Sequence, residues 1–310
     1  MAYDLQRSMA PNKPINDSEW HGVQTVYFEN PDQPAAFLHA SLWFSYLHGM
    51  DMNITWWWSR NGSSPRAKWF EGSLLAQPQL LDAWARNSIE VQRFSREIVA
   101  FQEAPARIRL LYSKPSAVLD LDYLDCLRET YEALHWLGRH IGFVTEEQLL
   151  AGPTPCDLLV IPAAKHASPG VREAIARLAK GRTKVIRIGE GTLALAPTGK
   201  AWNDGVTQLG EAVAKQLPAT EWSRLVEEVC GAAEWRAVGP DGTTSHPVEF
   251  RTVRVREQLF GYLIGLGRER TTIRLFRGNR PARWTDLRTH EQGRGNVVVE
   301  PYDVHLLDLD

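Results

Sequence analysis

The first hundred residues alternate between short extended runs and helical apolar patterns. A proline-led run at about 13–19 predicts a strand that ends in polar residues and a carboxylate. Apolar residues recur at helical spacing over 34–48, with proline at the start where its missing N–H costs nothing. A β-branched and aromatic run at 51–58 predicts a second strand. One long amphipathic helix is expected over about 80–101, which completes two βα units.

The alternation continues from about 105 to 200 with more apolar strands. Strands are predicted at 107–112, 157–162 and 183–188, and helices at 123–140 and 169–180. The run at 157–162 is almost continuously apolar, as is typical of strands buried on both faces of a parallel sheet. This part is expected to be a small doubly wound α/β domain.

Beyond about residue 235 the pattern changes to short strands separated by Gly, Pro and Asn turns. The predicted strands are 249–256, 261–265, 271–276 and 296–299. A small antiparallel sandwich is the expected fold, and a helical connection is expected over 203–233.

The composition limits which binding partners and which cellular compartment we expect for this protein. The formal net charge of −2 does not favour nucleic acid or an anionic membrane surface as a partner. There is no apolar signal segment at the start and no run long enough to span a membrane. Cys126, Cys156 and Cys230 form no CxxC pair, which favours a reducing compartment, and we expect a cytoplasmic protein.

Glu19 is the first candidate for chemistry. It ends the first predicted strand, and barrel enzymes keep their catalytic side chains at the carboxyl ends of strands. Two βα units cannot close a barrel, however, because a barrel needs eight. The alternative is that Glu19 is a capping or surface glutamate.

Three segments carry a resemblance to a known family. They are Lys13-Pro14 through Glu19, His48–Asp51 followed by the aromatic and Ser-Arg-Asn-Gly run at 56–62, and Val299–Val304. In this order they resemble the second half of a family 42 type β-galactosidase, a clan A glycosidase. The resemblance implies the last two βα units of a partial (β/α)8 barrel over 1–104. It further implies a flavodoxin- or amidotransferase-like oligomerisation domain over 105–233 and a C-terminal β-sandwich over 234–310.

The resemblance also implies a role for Glu19 as the nucleophile. A retaining glycosidase needs a second carboxyl group about 5–5.5 Å away as acid and base. In the family that group ends an earlier barrel strand, which these 310 residues do not contain. Glu29 and Glu71 follow strand ends on the correct side and are local candidates, whereas Asp51 opens a strand and falls at the wrong end.

Aromatic and polar residues near the same strand ends are candidates for binding a sugar. One indole of the run at 56–58 is expected to stack on a sugar ring, and core packing is the alternative. The loop polar residues and the histidine are candidates to hydrogen-bond hydroxyls, with solvation or a structural role as alternatives. The candidate substrate-binding residues are Trp20, His21, Trp56, Trp58, Arg60 and Asn61.

We expect no metal and no cofactor. His39 and His48 are nine residues apart, not the three or four that place two ligands on one helix face. An active amidotransferase would need a cysteine at a strand–helix elbow, but Cys156 precedes its strand. The isolated Gly189-Glu190-Gly191 is expected to be a turn.

Two functions follow. The first is a retaining β-glycosidase, β-galactosidase-like, that hydrolyses O-glycosidic bonds of a carbohydrate substrate. Its acid/base would come from another chain, from a pairing of half-barrels, or from a local carboxylate. The alternative is a non-catalytic truncated remnant that binds carbohydrate or serves as an oligomerising structural protein. Either way we expect a homo-oligomer, a dimer or trimer, because open strand edges need a cover.

Overall fold

The structure is a computed structural model that describes residues 1–21, 35–56, 74–152, 154–202, 209–240, 242 and 247–310. The chain forms two compact units. One comprises Met1–Ala10 with Pro105–Glu234, and the other comprises Pro11–Ala104 with Trp235–Asp310. None of the described helices is both long and apolar enough to cross a membrane.

The described helices and strands are as follows. The helices are α1 (Ala2–Met9), α2 (Ala35–Leu47), α3 (Pro78–Arg93), α4 (Ser95–Gln102), α5 (Lys114–Leu119), α6 (Leu121–His135), α7 (Glu146–Ala151), α8 (Pro169–Lys180) and α9 (Ala219–Cys230). The strands are β1 (Asn16–Trp20), β2 (Met52–Thr55), β3 (Ile108–Tyr112), β4 (Ile141–Thr145), β5 (Leu158–Pro162), β6 (Lys184–Ile188), β7 (Glu211–Val213), β8 (Trp235–Val238), β9 (Val248–Val255), β10 (Gln258–Gly265), β11 (Thr271–Arg277), β12 (Arg280–Pro281), β13 (Arg283–Asp286), β14 (Gln292–Arg294), β15 (Asn296–Val299) and β16 (Val304–Leu309).

The first unit is built on a five-stranded parallel sheet. Its strand order is β4-β3-β5-β6-β7, the doubly wound order in which the chain reverses direction next to the first strand. Every residue of β4 and β5 is buried. The sequence pattern at 157–162 therefore predicted a covered strand correctly.

The N-terminal helix α1 packs in this first unit. Ser8 Oγ accepts a hydrogen bond of 2.9 Å from the backbone N–H of Phe143, and its carbonyl accepts one of 2.7 Å from Gln148. Tyr131 donates a hydrogen bond to Asp4. These contacts tie residues 1–10 to the parallel sheet, although the expectation grouped them with 11–104. The three-domain division stays a prediction.

The described part of the second unit includes two antiparallel sheets and the helices α2, α3 and α4. The sheets have the orders β14-β13-β16-β10-β9 and β12-β11-β15, with β8 added beside β11. Their facing side chains, such as Ile273, Leu275 and Leu307, form one buried core. Helices α2, α3 and α4 pack on the other side of the larger sheet through a second core that includes Trp43 and Phe101.

A separate two-stranded parallel sheet, β1 with β2, also belongs to the second unit. Asn16 pairs with Met52 and Asp17 with Asn53, but the next pair is Trp20 with Thr55. Two residues of β1, Ser18 and Glu19, therefore lie opposite one residue of β2. This is a β-bulge, a feature that re-aims side chains and is common beside active sites.

Three helix predictions were wrong in their extent. The helix expected over 80–101 is two helices, because the chain bends at Phe94, which is buried with φ −101° and ψ 20°. The helix expected over 123–140 ends at His135, before Gly138 with its positive φ of 67°. In the segment 203–233, β7 precedes helix α9, so the described part of this connection is not helical throughout.

Candidate functional site

The carboxyl ends of β1 and β2 bring together three of the predicted site residues. Glu19 lies at the bulge, with 63% of its side chain exposed. Its Oε2 is 3.9 Å from His21 Nε2, and the His21 ring centroid is 6.2 Å from that of Trp56 at an interplanar angle of 42°. A carboxylate, an imidazole and an indole thus share one open sheet edge.

The backbone holds this edge in place. The N–H of Trp56 donates a 2.9 Å hydrogen bond to the carbonyl of Trp20, which continues the parallel ladder past the end of β2. Asp17 Oδ1 accepts a 3.1 Å hydrogen bond from the N–H of Glu19. This side chain–backbone bond satisfies a donor at the bulge, where the ladder is interrupted.

Trp20 lies on the other side of the strand. Its side chain is buried, and its indole N–H lies 3.3 Å from Ser45 Oγ of α2. Trp84 of α3 likewise donates a 3.0 Å hydrogen bond to Thr55 Oγ1. Both indoles anchor the strands to helices, so the position of Trp20 favours packing over sugar stacking.

Asp51 lies at the opposite end of the same two strands. Its Oδ2 accepts a 2.8 Å hydrogen bond from the N–H of Ile15, just before β1 begins. Burial, and then the negative charge of Asp51, raises the pKa of Tyr46. Asp51 therefore has a structural role at the amino end, away from Glu19.

The remaining predicted site residues lie outside the described part of the chain. They are the carboxylates Glu29 and Glu71 and the substrate-binding candidates Trp58, Arg60 and Asn61. Their roles stay predictions, as does the expectation that the protein uses no metal or cofactor.

His39 and His48 contact different partners. His48 Nε2 lies 3.1 Å from both carboxylate oxygens of Glu249, which also accepts a 2.6 Å hydrogen bond from the Tyr262 hydroxyl. His39 Nε2 lies 3.0 Å from Glu90 Oε2. The two histidines thus belong to separate clusters within the second unit.

The position directly after β5, where an active amidotransferase would need a cysteine, is occupied by alanine. Ala163 follows β5 with a positive φ of 46°, the strained strand-to-helix geometry that exposes nucleophiles in other α/β enzymes. Nearby in the same unit, Ser113 after β3 donates a 2.7 Å hydrogen bond to Glu146, which follows β4. Burial, chiefly, raises the pKa of Glu146. Ala163 shares its positive φ with such an elbow residue, but its side chain is not nucleophilic and the next helix, α8, begins only at Pro169.

Sequence reasoning missed an ion-pair cluster in the second unit. Arg288 Nε lies 2.9 Å from Glu90 Oε1, and Glu90 Oε2 also accepts a 3.0 Å hydrogen bond from the Trp43 indole. Burial alone would raise the pKa of Glu90, but hydrogen bonds from His39, Arg288 and Trp43 and the charge of Arg288 lower it to about 2. These residues are far apart in sequence, and no local pattern connects them.

Comparison with known proteins gives matches in structure only. No family profile and no curated protein matches this sequence. The GH42 exo-carrageenase of Bacteroides ovatus superimposes with a TM-score of 0.86 at 21% identity, over 100% of this chain and 43% of that one. A catalytic mutant of a GH42 β-galactosidase from G. stearothermophilus gives a TM-score of 0.76 at 12% identity, over 99% of this chain and 55% of that one.

A third solved structure agrees. The β-galactosidase from Bacillus circulans sp. alkalophilus gives a TM-score of 0.75 at 15% identity, over 100% of this chain and 57% of that one. The chain therefore spans about half the length of the solved structures that it matches. The resemblance noted in the sequence is confirmed for the fold: this chain has the fold of part of a family 42 glycoside hydrolase, with a parallel α/β sheet and antiparallel sheets.

Proposed function

We propose that this protein is a retaining β-glycosidase of the β-galactosidase type, with Glu19 as its nucleophile. The observation that carries the proposal is the position of Glu19, at a β-bulge on the carboxyl edge of a parallel strand pair. His21 and Trp56 lie at the same edge. In (β/α)8 enzymes this edge holds the catalytic side chains, and we propose that β1 and β2 are the last two strands of such a barrel.

The chemistry requires a second carboxyl group that faces Glu19. Glu19 would attack the anomeric carbon while an acid protonates the leaving oxygen, and the same acid would then activate water as a base. We propose that another polypeptide segment supplies this group, with Glu29 and Glu71 as the local alternatives. Trp56 is suited to stack on the apolar face of the sugar, with His21 beside it.

The exposed apolar surface of these two strands supports the proposal that another polypeptide segment packs beside them. Met52 and Ile54 of β2 are each 54% exposed, although parallel strands are normally covered on both faces. We propose that further barrel strands, from a separate chain or from pairing of two copies, cover them. Residues 105–233 would then serve as an amidotransferase-like oligomerisation domain.

The test is hydrolysis of nitrophenyl glycosides by the purified protein. Glu19→Gln keeps the shape of the side chain but removes the nucleophile, so we expect kcat/KM to fall about 100-fold or more. Glu103→Gln is the matched control, because Glu103 is an exposed glutamate in the same unit, and its activity should equal that of the wild type. Equal activity of Glu19→Gln and Glu103→Gln would refute the role of Glu19.

A second candidate function is a non-catalytic carbohydrate-binding or oligomerising protein. The large exposed fraction of Glu19, 63%, favours it, because catalytic carboxylates are usually enclosed with their partner. Under this alternative the wild type binds sugar but hydrolyses no glycoside, and the oligomer measured by sedimentation is unchanged in Glu19→Gln.

A further inference from the structure

A cavity in the unit formed by residues 11–104 and 235–310 lies apart from the strands that carry Glu19. Its volume is about 600 Å³, within the range of small-molecule sites. One face of α3 forms a wall, and α2, Arg288 in the turn after β13, and the turn before β16 form the rest. The residues that line it on α3 are Gln79, Asp82, Ala83, Arg86, Asn87 and Glu90.

The lining of this cavity is polar rather than apolar. Besides the α3 face it includes His39, Arg288, Tyr302 and Asp303, and the aliphatic residues among its described members are all alanines. Most apolar pockets for drug-like molecules have the opposite composition. A ligand that fits here must therefore form many hydrogen bonds.

Two of the three described carboxylates in the lining are paired with arginines. Arg86 pairs with Asp82 at 2.8 Å, and Arg288 pairs with Glu90 at 2.9 Å. Asp303 Oδ2 accepts a 3.0 Å hydrogen bond from the N–H of Glu300. A free ion would have to compete with these pairs, whereas a neutral molecule with several hydroxyl groups can bond to their remaining donors and acceptors.

One buried group in the wall lacks a partner. Asn87 is only 2% exposed, and among the described residues its Nδ2 has no hydrogen-bond partner. A buried amide without a partner costs about 1–3 kcal/mol. Because this nitrogen is itself buried, a rotation of the Asn87 amide would be needed to bring it to a ligand hydroxyl, which would then accept its hydrogen bond.

His39 gives the ligand a second contact. Its Nε2 lies 3.0 Å from Glu90 Oε2 and 2.8 Å from Arg288 Nη2. One ring nitrogen either donates to Glu90 or accepts from Arg288, so it cannot satisfy both neighbours at once. A ligand hydroxyl group, which both donates and accepts, can form the hydrogen bond with Glu90 or Arg288 that His39 leaves unmade.

Tyr302 supplies an aromatic wall in a strained backbone conformation. It has a positive φ of 65°, which is uncommon for a residue other than glycine and is often retained at ligand sites. Its ring packs edge-on against Phe37 at a centroid distance of 5.3 Å. An aromatic ring beside planar polar groups matches the apolar C–H face and the hydroxyls of a sugar.

We propose that this cavity is a second binding site, for a neutral mono- or disaccharide, separate from the Glu19 edge. The proposal goes beyond the glycosidase function and does not require Glu19 to be catalytic. Asn87, His39 and Arg288 would bind the hydroxyl groups, and Tyr302 would face the sugar ring.

The experiment is an NMR titration of the full chain with D-galactose and with lactose, observed at the His39 ring. His39→Gln identifies the resonance among those of the nine histidines. We expect saturable shifts of His39 in the wild type and in Trp56→Ala. Because Trp56 belongs to the Glu19 edge, binding in that variant is independent of the proposed active site. An unmoved His39 resonance with both sugars would overturn the proposal, and a response to inorganic phosphate alone would replace it with an anion site.

Two matched substitutions on α3 sharpen the result. Ala83→Trp fills the cavity, whereas Ala85→Trp places the same indole on an exposed position of the same helix. We expect Ala83→Trp to weaken binding at least about tenfold, or about 1.4 kcal/mol, and Ala85→Trp to leave it unchanged. Equal affinities of the two variants would contradict the site.

A third variant tests the unpaired amide without relying on the fold of Ala83→Trp. Asn87→Leu has similar volume and removes the buried group that has no partner. We expect its melting temperature to equal or exceed that of the wild type, while the sugar affinity falls about tenfold. Unchanged sugar affinity in this folded variant would contradict the role of Asn87.

Discussion

The two parallel sheets in the described part of this chain differ in how completely they are covered. In the five-stranded sheet, all residues of β4 and β5 are buried. In the pair β1 and β2, Met52 and Ile54 are each 54% exposed. Strands β4 and β5 of the first sheet are thus covered on both faces, whereas β2 exposes apolar side chains that a parallel sheet normally buries.

Carboxylates at the edges of the two sheets differ in the same way. Glu146 follows β4, is 9% exposed and is held by Ser113. Glu19 is 63% exposed beside His21 and Trp56. The covered sheet has an alanine at its elbow and a carboxylate used in packing, while the open sheet presents its carboxylate outward. The two units therefore differ in how completely they cover the carboxylates at the edges of their parallel sheets.

The largest expected effect on stability tests directly whether the side chains of each parallel sheet are covered. Leu159 of β5 is fully buried, so Leu159→Ala should lower the free energy of unfolding by about 2–5 kcal/mol. Ile54→Ala at the open face should change it by less than about 0.5 kcal/mol when both variants are measured as monomers, with no further strands on β2. Urea unfolding of both variants measures the difference. A loss of about 2 kcal/mol in Ile54→Ala would show that the face is covered in solution, and the contrast between the sheets would fail.

The next effect compares two glutamates whose pKa values shift in opposite directions. The pKa of Glu90 falls from 4.5 to about 2, so its ionised form stabilises the fold above about pH 4.5, and this stabilisation is lost as the pH falls towards 2. Glu90→Gln should therefore lower stability by up to about 3 kcal/mol at neutral pH, and by less at acidic pH.

Glu146 serves as the counterpart. Its pKa is raised, so the folded state holds the proton more tightly than the unfolded state and stability falls as the pH rises through that window. Relative to the wild type, Glu146→Gln should gain stability with rising pH, whereas Glu90→Gln should lose it. The measurement is urea unfolding between about pH 3 and 7. Parallel pH profiles for the two variants would contradict the opposite environments of the two carboxyl groups.

Local patterns explain why part of this fold is readable from the sequence. Helix α8 and strand β15 have the predicted bounds, since proline and serine mark the start of the helix and polar turns flank the strand. The position of Glu19 near a strand end is also predicted locally, because Glu19 closes the proline-led run at 13–19. In each case the signal lies within a few residues of the element that it specifies.

Other features depend on contacts between distant residues. The break between α3 and α4 at Phe94 has no proline or glycine to mark it, and Phe94 instead packs in the core with Trp43. The Glu90 cluster joins residues 51 and 198 positions apart. The bulge at Glu19 depends on the register with β2. None of these has a periodic or local signature, so tertiary packing decides them.

The smallest effect concerns the elbow of the covered sheet. Ala163 has φ 46°, a conformation that glycine adopts without a Cβ penalty. Ala163→Gly should therefore raise the free energy of unfolding by up to about 1 kcal/mol, because relief of the backbone strain exceeds the added entropy of the unfolded chain. Gly170→Ala in α8 is a poor control, since its Cβ would lie 2.9 Å from Leu150, so Ala179→Gly in the same helix is preferable and should destabilise. If Ala163→Gly destabilises the protein as Ala179→Gly does, then the backbone at Ala163 is not strained. The comparison of Ala163 with a nucleophile elbow would then fail.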